Sequence, residues 1–523
     1  MQKTALSGYG GALPEDNSGT VWERSETLFI ILIAIFSFVM RYMHISSTGW
    51  IIDDVTRHLG MRQEAGSVFH FSDADFFVFL ARNFLEGKGT NIPFVPPFTA
   101  WTLVFFIRIF GFDYFSIKIM YAMLGALSVP AVYLTARILY GRGVAVITSI
   151  LCSASFALIF ISGGLNIENV YFFTLSIAVA LYVILMKEPT FVRINQLAIS
   201  FLFGIASASA CLTRSEYILV LFIFFLFGLL RRGWSPAKKG VVALTAIAGF
   251  LLIVAPWVAR NYSFMTELNA SYKNASLPVF VPTALNGPFN FLEGHHVNAN
   301  GTYSPVVEYE GYSLELKDGY VASLDPTDER HLAMIRDGYR LGFKYIMENP
   351  AKELKLIPFK AGVFLNGLSN GFFLNNFPAG VTGRVPNMAD SFIPDAKWSL
   401  YVTLPLFLYG FLLIFREKGE GETIFLRWLP IFVFGIVFFV AISFYALCRM
   451  SYPILPYYFM VVSLGVAGLV TRFRDTIIFS WKYAYILLFA VSLIGLFSAS
   501  ERIVVEKSGK LPLGGYFLKD VRR

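Results

Sequence analysis

Apolar runs of near-uniform length recur along the chain, and short polar loops separate them. A helix rises about 1.5 Å per residue, so about twenty apolar residues cross a hydrocarbon core of roughly 30 Å. The runs fall at 27–45, 115–136, 144–162, 169–186, 196–212, 216–230, 241–259, 399–415, 428–446, 454–470 and 478–498. They predict an all-α polytopic membrane protein of about eleven transmembrane helices. The pair around Thr213 is short, so one of its members is expected to be broken or tilted.

The polar loops give the chain a direction. Arg137 with Arg142, Lys187 with Arg193, Arg231-Arg232 with Lys238-Lys239, Arg416 with Lys418 and Arg427, and Arg472 with Arg474 alternate with loops poor in Lys and Arg. The basic set belongs on the cytoplasmic side, and the other set faces outward. This divides the chain into a cytoplasmic N-terminus (1–26), a transmembrane module (27–259) with an outer loop at 46–114, a large outer loop domain (260–398), C-terminal transmembrane helices (399–498) and an outer tail (499–523). The run from Thr27 to Met40 lacks a small-residue cleavage site and reads as a retained first helix.

Composition agrees. The chain is 56% hydrophobic and 15% charged, too little charge to wet a soluble surface of 523 residues. The net charge of +8 sits in orienting loops, so a nucleic-acid partner is not expected. Cys152, Cys211 and Cys448 lie in or beside apolar runs, with no CxxC pair, and read as packing residues.

The segment Phe71–Gly89 is the most informative. Ser72 and Asp75 form a capping-box-like start; Phe76, Phe77, Leu80 and Phe84 repeat at helical spacing; Gly87 and Gly89 end the pattern. The result is a short amphipathic helix expected on the membrane surface. Asp73 and Asp75 either complement its dipole or place a base at the boundary between water and lipid.

An acid here, then an aromatic pair, an Ala and a Leu-x-Gly ending resembles the first outer loop of the GT-C glycosyltransferases. The likeness is to the branch of protein O-mannosyltransferases and lipid A aminoarabinose transferases. The resemblance implies that Asp73 is catalytic; Ala74 stands where the family has Glu, and the second acid falls at Asp75. Further segments match in order: Pro96-Pro97 through Ile109-Phe-Gly111, Ala136 to Gly141, Asn166-Ile-Glu168-Asn169, and Leu212-Thr-Arg214 with Ser215 replacing Pro. So do Ala255 to Tyr262, Asn290 to Gly294 through Ala299 to Tyr303 with His295 in place of Asn, and Arg449 with Pro453-Ile-Leu-Pro456.

The residues suit such chemistry. Glycosyl transfer from a phosphate carrier needs a base for the acceptor and cations for the departing phosphate. Arg214, Arg260 and Arg449 each sit at an expected outer helix end, where they either snorkel or bind phosphate. Glu168 is a second acidic candidate, beside Asp75. The expectation is a membrane glycosyltransferase, in the plasma membrane of a bacterium or archaeon, moving a hexosyl or pentosyl unit from a polyprenyl-phosphate donor. The acceptor is a lipid, glycan or protein on the outer face. A lipid-linked oligosaccharide ligase or polymerase and a polyprenyl-lipid transporter are the alternatives. No cofactor is required; a divalent metal is the lesser expectation, with Glu293, His295 and His296 its weak candidates. Asp53-Asp54 is a second acidic pair, and Asn261, Asn269, Asn274 and Asn300 head sequons. Thr327 to Lys360 predicts one or two surface helices broken at Asn349-Pro350.

Overall fold

The computed structural model describes residues 24–58, 73–87, 93–302, 306–315, 328–369, 396–416 and 422–474, save 112, 164, 166, 190, 193, 273–274 and 310–311. In chain order the helices are α1 (Arg24–His58), α2 (Asp73–Leu85), α3 (Phe98–Phe110), α4 (Tyr114–Tyr140), α5 (Arg142–Ala154), α6 (Phe156–Gly163) and α7 (Ile167–Lys187). Then follow α8 (Gln196–Cys211), α9 (Tyr217–Leu230), α10 (Pro236–Ser271) and α11 (Asn286–Glu293). A two-stranded antiparallel hairpin pairs β1 (Val306–Tyr309) with β2 (Tyr312–Glu315), Val307 opposite Leu314. After it come α12 (Glu329–Glu348), α13 (Pro350–Ser369), α14 (Ala396–Arg416), α15 (Glu422–Arg427), α16 (Leu429–Ser443), a 3-10 turn (Cys448–Ile454) and α17 (Leu455–Arg474).

Each expected span from 27–45 to 454–470 falls on a helix, while 478–498 lies outside the described residues. Among the described residues, five helices are long and apolar enough to cross a membrane, or six if the α5–α6 pair, bent by 47°, is one span. The difference from eleven is one of length. Helices α8, α9 and α16 have 16, 14 and 15 residues, about 20–24 Å of rise against a core of roughly 30 Å. The expected single span at 144–162 breaks at Ser155, which is extended (φ −67°, ψ 119°). Conversely α10 runs past Arg260 to Ser271, so the large loop begins later than its expected start.

Local chemistry sets the helix ends. The Asp113 side chain caps α4, accepting from the Phe115 and Ser116 backbone N–H groups, and the Ser116 hydroxyl holds its carboxyl below the ordinary value. Gly141, at φ 91°, turns α4 into α5. Asn349-Pro350 separates α12 from α13 as expected, since proline cannot continue the preceding helix.

The bundle closes through a chain of neighbours, α1 on α4, α4 on α7, α7 on α8 and α8 on α10; α5 brings in α17, which packs on α14. The basic loops gather at one end. Glu26 Oε1 accepts from Arg137 Nε at 2.8 Å and Tyr133 Oη at 3.0 Å. Tyr140 Oη donates to the Arg427 carbonyl. Glu188 pairs with Arg231 at 3.1 Å and Lys238 at 3.0 Å, and one small cavity is lined by Met186, Arg231, Phe425 and Leu426. The loops expected on one side of the membrane therefore touch one another, which is what the charge pattern requires.

The apolar face of α2 does not lie bare. Phe77, Val78, Leu80 and Ala81 are buried with Leu103 and Ile107 of α3, Met265 of α10, and Leu285, Phe289, Leu292, Met334 and Ile335 of the loop domain. Helix α2 packs on α3, and its buried residues share one apolar cluster with residues of the loop domain. Ser72 lies outside the described residues, so the capping box is not seen; α2 opens at Asp73.

Helices α8 and α10 meet at glycine. A Cβ on Gly204 would come 2.0 Å from the Ala246 carbonyl oxygen, and one on Gly249 2.2 Å from that of Phe201. In a bilayer, where apolar burial does not drive association, such close backbone packing is a main source of helix affinity. Gly204→Val is expected to destabilise the bundle by about 1–3 kcal/mol or more. Thermal unfolding in detergent checks this, with Gly228→Ala as control, since a Cβ there meets nothing within 4 Å.

Candidate active site

At the opposite end of α7 from Glu188, three distant parts of the chain converge on one carboxylate. Glu168 lies in the first turn of α7 with its side chain 2% exposed. Its Oε1 is 3.6 Å from Arg214 Nη1 and 3.5 Å from Arg449 Nε. Arg214 belongs to the turn between α8 and α9, and Arg449 to the 3-10 turn before α17. Arg449 is 34% exposed and Arg214 15%, so the cationic pair reaches open space while the acid does not. Glu168 Oε2 is buried without a hydrogen-bond partner among the described residues.

Arg214 is held from several directions. Its Nε bonds Glu216, and its guanidinium lies 5.8 Å from the Tyr171 ring centre. Burial works against its charge, but Glu216 and Glu168 outweigh burial and keep it more firmly protonated than an ordinary arginine. The turn itself is pinned: Phe98 N, at the start of α3, donates to Leu212 O at 2.9 Å, and Ser215 Oγ donates to Thr283 Oγ1 at 2.9 Å. Leu285 N and Asn286 N donate to Pro93 O and Phe94 O, so the segment between α2 and α3 is stitched to the loop domain beside the same turn.

The start of α7 is fixed by a fully buried cation. Arg41 of α1 donates from Nε to Ser162 Oγ at 3.2 Å and from Nη1 to Ser37 O at 3.1 Å. Ser162 Oγ lies 3.0 Å from Asn169 Oδ1, and Asn169 Nδ2 donates to Tyr121 O at 2.8 Å. Gly125 makes room for this, since a Cβ there would sit 2.6 Å from Arg41 Nε. Sequence reasoning missed Arg41, taking it as the end of the first apolar run. Ser37 one turn before it was the available signal. Glu216 and Tyr171 were also missed.

The structure thus brings together Glu168, Arg214 and Arg449. Arg260 sits instead over Trp257 and Phe264, 5.3 and 4.8 Å from their ring centres, and Trp257 Nε1 donates to Thr283 O. Asp73 opens α2, Asp75 lies in its first turn, and Asp53-Asp54 lies in α1.

The weaker candidates resolve in other ways. Among the described residues no group of three or more His, Cys, Asp or Glu side chains is placed to hold a metal ion. His295 has both ring nitrogens engaged, with Glu353 and with the Ser443 carbonyl. Asn261 is buried and donates to Val281 O, and the Asn269 amide clasps Leu277 N and O, so both serve the fold. Asn300 Oδ1 accepts from Thr302 N, and Asn274 lies outside the described residues. Cys152 and Cys211 are free and buried, as packing residues should be.

Residues 95–259 match a family model described as dolichyl-phosphate-mannose-protein mannosyltransferase. This stretch is mannosyltransferase-like. It contains Glu168 and Arg214, and it bears out the resemblance drawn from the motifs. No curated protein matches the chain. Among solved structures, the Archaeoglobus fulgidus oligosaccharyltransferase tethered with an acceptor peptide is 14% identical, over 91% of this chain and 55% of its own, with a TM-score of 0.48. The S. cerevisiae protein O-mannosyltransferase Pmt1-Pmt2 complex bound to the sugar donor is 16% identical, over 56% and 44%, at 0.35. ArnT from Cupriavidus metallidurans bound to undecaprenyl phosphate is 13% identical, over 86% and 79%, at 0.33. The chain spans about half the length of the oligosaccharyltransferase.

His296 gives a pH prediction. Burial, helped by Lys352, pushes its imidazole down from 6.5 to about 4. The unfolded chain takes up this proton first as pH falls, so the neutral ring contributes stability above about 6.5 that is lost as pH falls towards about 4. His296→Asn is expected to flatten the loss of thermal stability across that window; an unchanged pH profile would contradict it.

Proposed function

We propose that this chain is a membrane glycosyltransferase moving a hexosyl or pentosyl unit from a polyprenyl-phosphate donor to a lipid, glycan or protein acceptor. One observation carries the reading. A buried carboxylate binds two arginines, one of them partly open, at the end of the bundle away from the basic loops. Two arginines held by one carboxylate, one of them partly open, suit a phosphate whose charge grows as the sugar departs. The match of residues 95–259 to the mannosyltransferase family model supports the same class. By the positive-inside rule this end faces outward, as expected for the plasma membrane of a bacterium or archaeon.

In the proposed reaction the acceptor hydroxyl attacks the anomeric carbon from the side opposite the phosphate. The new carbon–oxygen bond forms as the bond to phosphate oxygen breaks, with inversion, and the polyprenyl phosphate leaves with the electron pair. Asp73 takes the acceptor proton and later returns it to water. Arg214 and Arg449 meet the phosphate, Glu168 holds both in place, Arg260 is the further phosphate-binding candidate and Asp75 the second acidic one. The catalytic module at 27–259 supplies Asp73, Glu168 and Arg214; the C-terminal helices at 399–498 supply Arg449. The arginines take the charge, so the reading requires no metal.

Isolated membranes with a labelled polyprenyl-phosphate sugar pool test this. Wild type is expected to move label to acceptor, and Asp73→Asn to lose about a hundredfold or more at equal, monodisperse protein. Asp75→Asn and Asp53→Asn should keep activity. Transfer only from a diphosphate donor would point instead to the ligase or polymerase. Normal transfer by Asp73→Asn would remove Asp73 as the base.

A further inference from the structure

Residues 443–446 join α16 to the 3-10 turn that carries Arg449, and the loop domain grips them at three points. His295 Nε2 lies 2.9 Å from Ser443 O, Lys360 Nζ donates to Phe444 O at 2.5 Å, and Ala446 N donates to Gly301 O at 3.0 Å. Gly294 lies flat against the same strand of backbone, since a Cβ there would come 2.3 Å from Phe444 O. The Phe291 ring packs 5.4 Å from that of Phe444. Arg449, three residues beyond Ala446, cannot shift far without breaking this grip.

The His295 contact demands a proton. A backbone carbonyl only accepts, so Nε2 must carry hydrogen. A neutral imidazole then has a lone pair on Nδ1, and Nδ1 faces Glu353 Oε2 at 2.8 Å. Two acceptors do not sit at that distance without a proton between them. Either an imidazolium faces a carboxylate, or a neutral imidazole faces a carboxylic acid, and in both cases Nε2–H points at Ser443. The site is dry: His295 is 5% and Glu353 7% exposed, and Glu353 Oε1 is buried with no hydrogen-bond partner among the described residues.

We propose that His295 and Glu353 form a buried latch through which the loop domain positions Arg449 over Glu168. Both are positioning residues, and their bearing on catalysis rests on the function proposed above. The other charged or titratable groups around the latch are Glu293 and His296 on its own turn and Lys352 and Lys360 on α13; α12 contributes Gly342, whose Cβ position lies 3.6 Å from that of His295. Lys352 donates to the His296 and Val297 carbonyls. Burial pushes the Lys360 amine down to about 8, so at mildly acidic pH it is charged and donates to Phe444.

Hydrogen exchange of peptides covering 443–454 in the full-length, detergent-solubilised chain tests the latch without relying on activity. At one mildly acidic pH, wild type is expected to be protected and His295→Ala to exchange about tenfold faster. Glu353→Gln is the discriminating variant: its amide donates to Nδ1 of a neutral ring, Nε2–H stays on Ser443, and protection should hold. Lys360→Arg, which keeps a donor facing the Phe444 carbonyl, should match wild type. In the transfer assay His295→Ala should raise the donor KM about tenfold with a smaller change in kcat, as loss of positioned binding does. Exchange in His295→Ala equal to wild type, or exchange in Glu353→Gln as fast as in His295→Ala, would each overturn the latch. A wild type that shows the exchange pattern yet transfers no sugar would overturn the proposed function and leave the latch standing.

Discussion

A carboxylate withdrawn from water at the end of a membrane helix must find cations or give up its charge. Glu168 finds Arg214 and Arg449, which come from positions far apart in sequence, so the site exists only when the whole bundle has closed. Much of the described structure serves that closure. Arg41, Ser162, Asn169 and Tyr121 fix where α7 begins. The ties from Phe98 to Leu212 and from Ser215 to Thr283 fix the Arg214 turn. The grip of the loop domain on 443–446 fixes the approach to Arg449.

Position along the membrane normal gives this cluster its meaning. Helix α7 has 21 residues, about 30 Å of rise, with Glu168 at one end and Glu188 just past the other. Glu188 meets Arg231 and Lys238 in the basic set. The acid that gathers arginines at the far end therefore runs against the general placement of positive charge. That is the pattern expected of a site built to receive an anion rather than of a simple orientation signal.

The helices were legible because a membrane span writes itself as an unbroken apolar run. Their lengths were less so: a run of about fifteen apolar residues reads as a span, but its 14- to 16-residue helices fall short of one. Glu168, Arg214 and Arg449 could be singled out as charges at expected outer ends, and their meeting could not, because nothing local encodes a contact between residues 168 and 449. Arg260, with the same sequence signature, lies over Trp257 and Phe264. Arg41 was overlooked because one charge near the end of an apolar run looks like its boundary. The amphipathic pattern of α2 was read correctly as a helix with one apolar face. The apolar cluster that this face joins takes in loop-domain residues from more than two hundred positions further on.

The central claim is that the Glu168 cluster holds a lipid-linked phosphate. The most direct measurement is saturable binding of a sugar-free polyprenyl phosphate to the purified full-length chain, comparing wild type, Arg449→Gln and Arg108→Gln. Arg108 is an exposed residue of α3 and serves as the control. The account predicts that Arg449→Gln weakens binding about tenfold or more, roughly 1.4 kcal/mol, while Arg108→Gln binds as wild type does. Equal affinity in all three would contradict it.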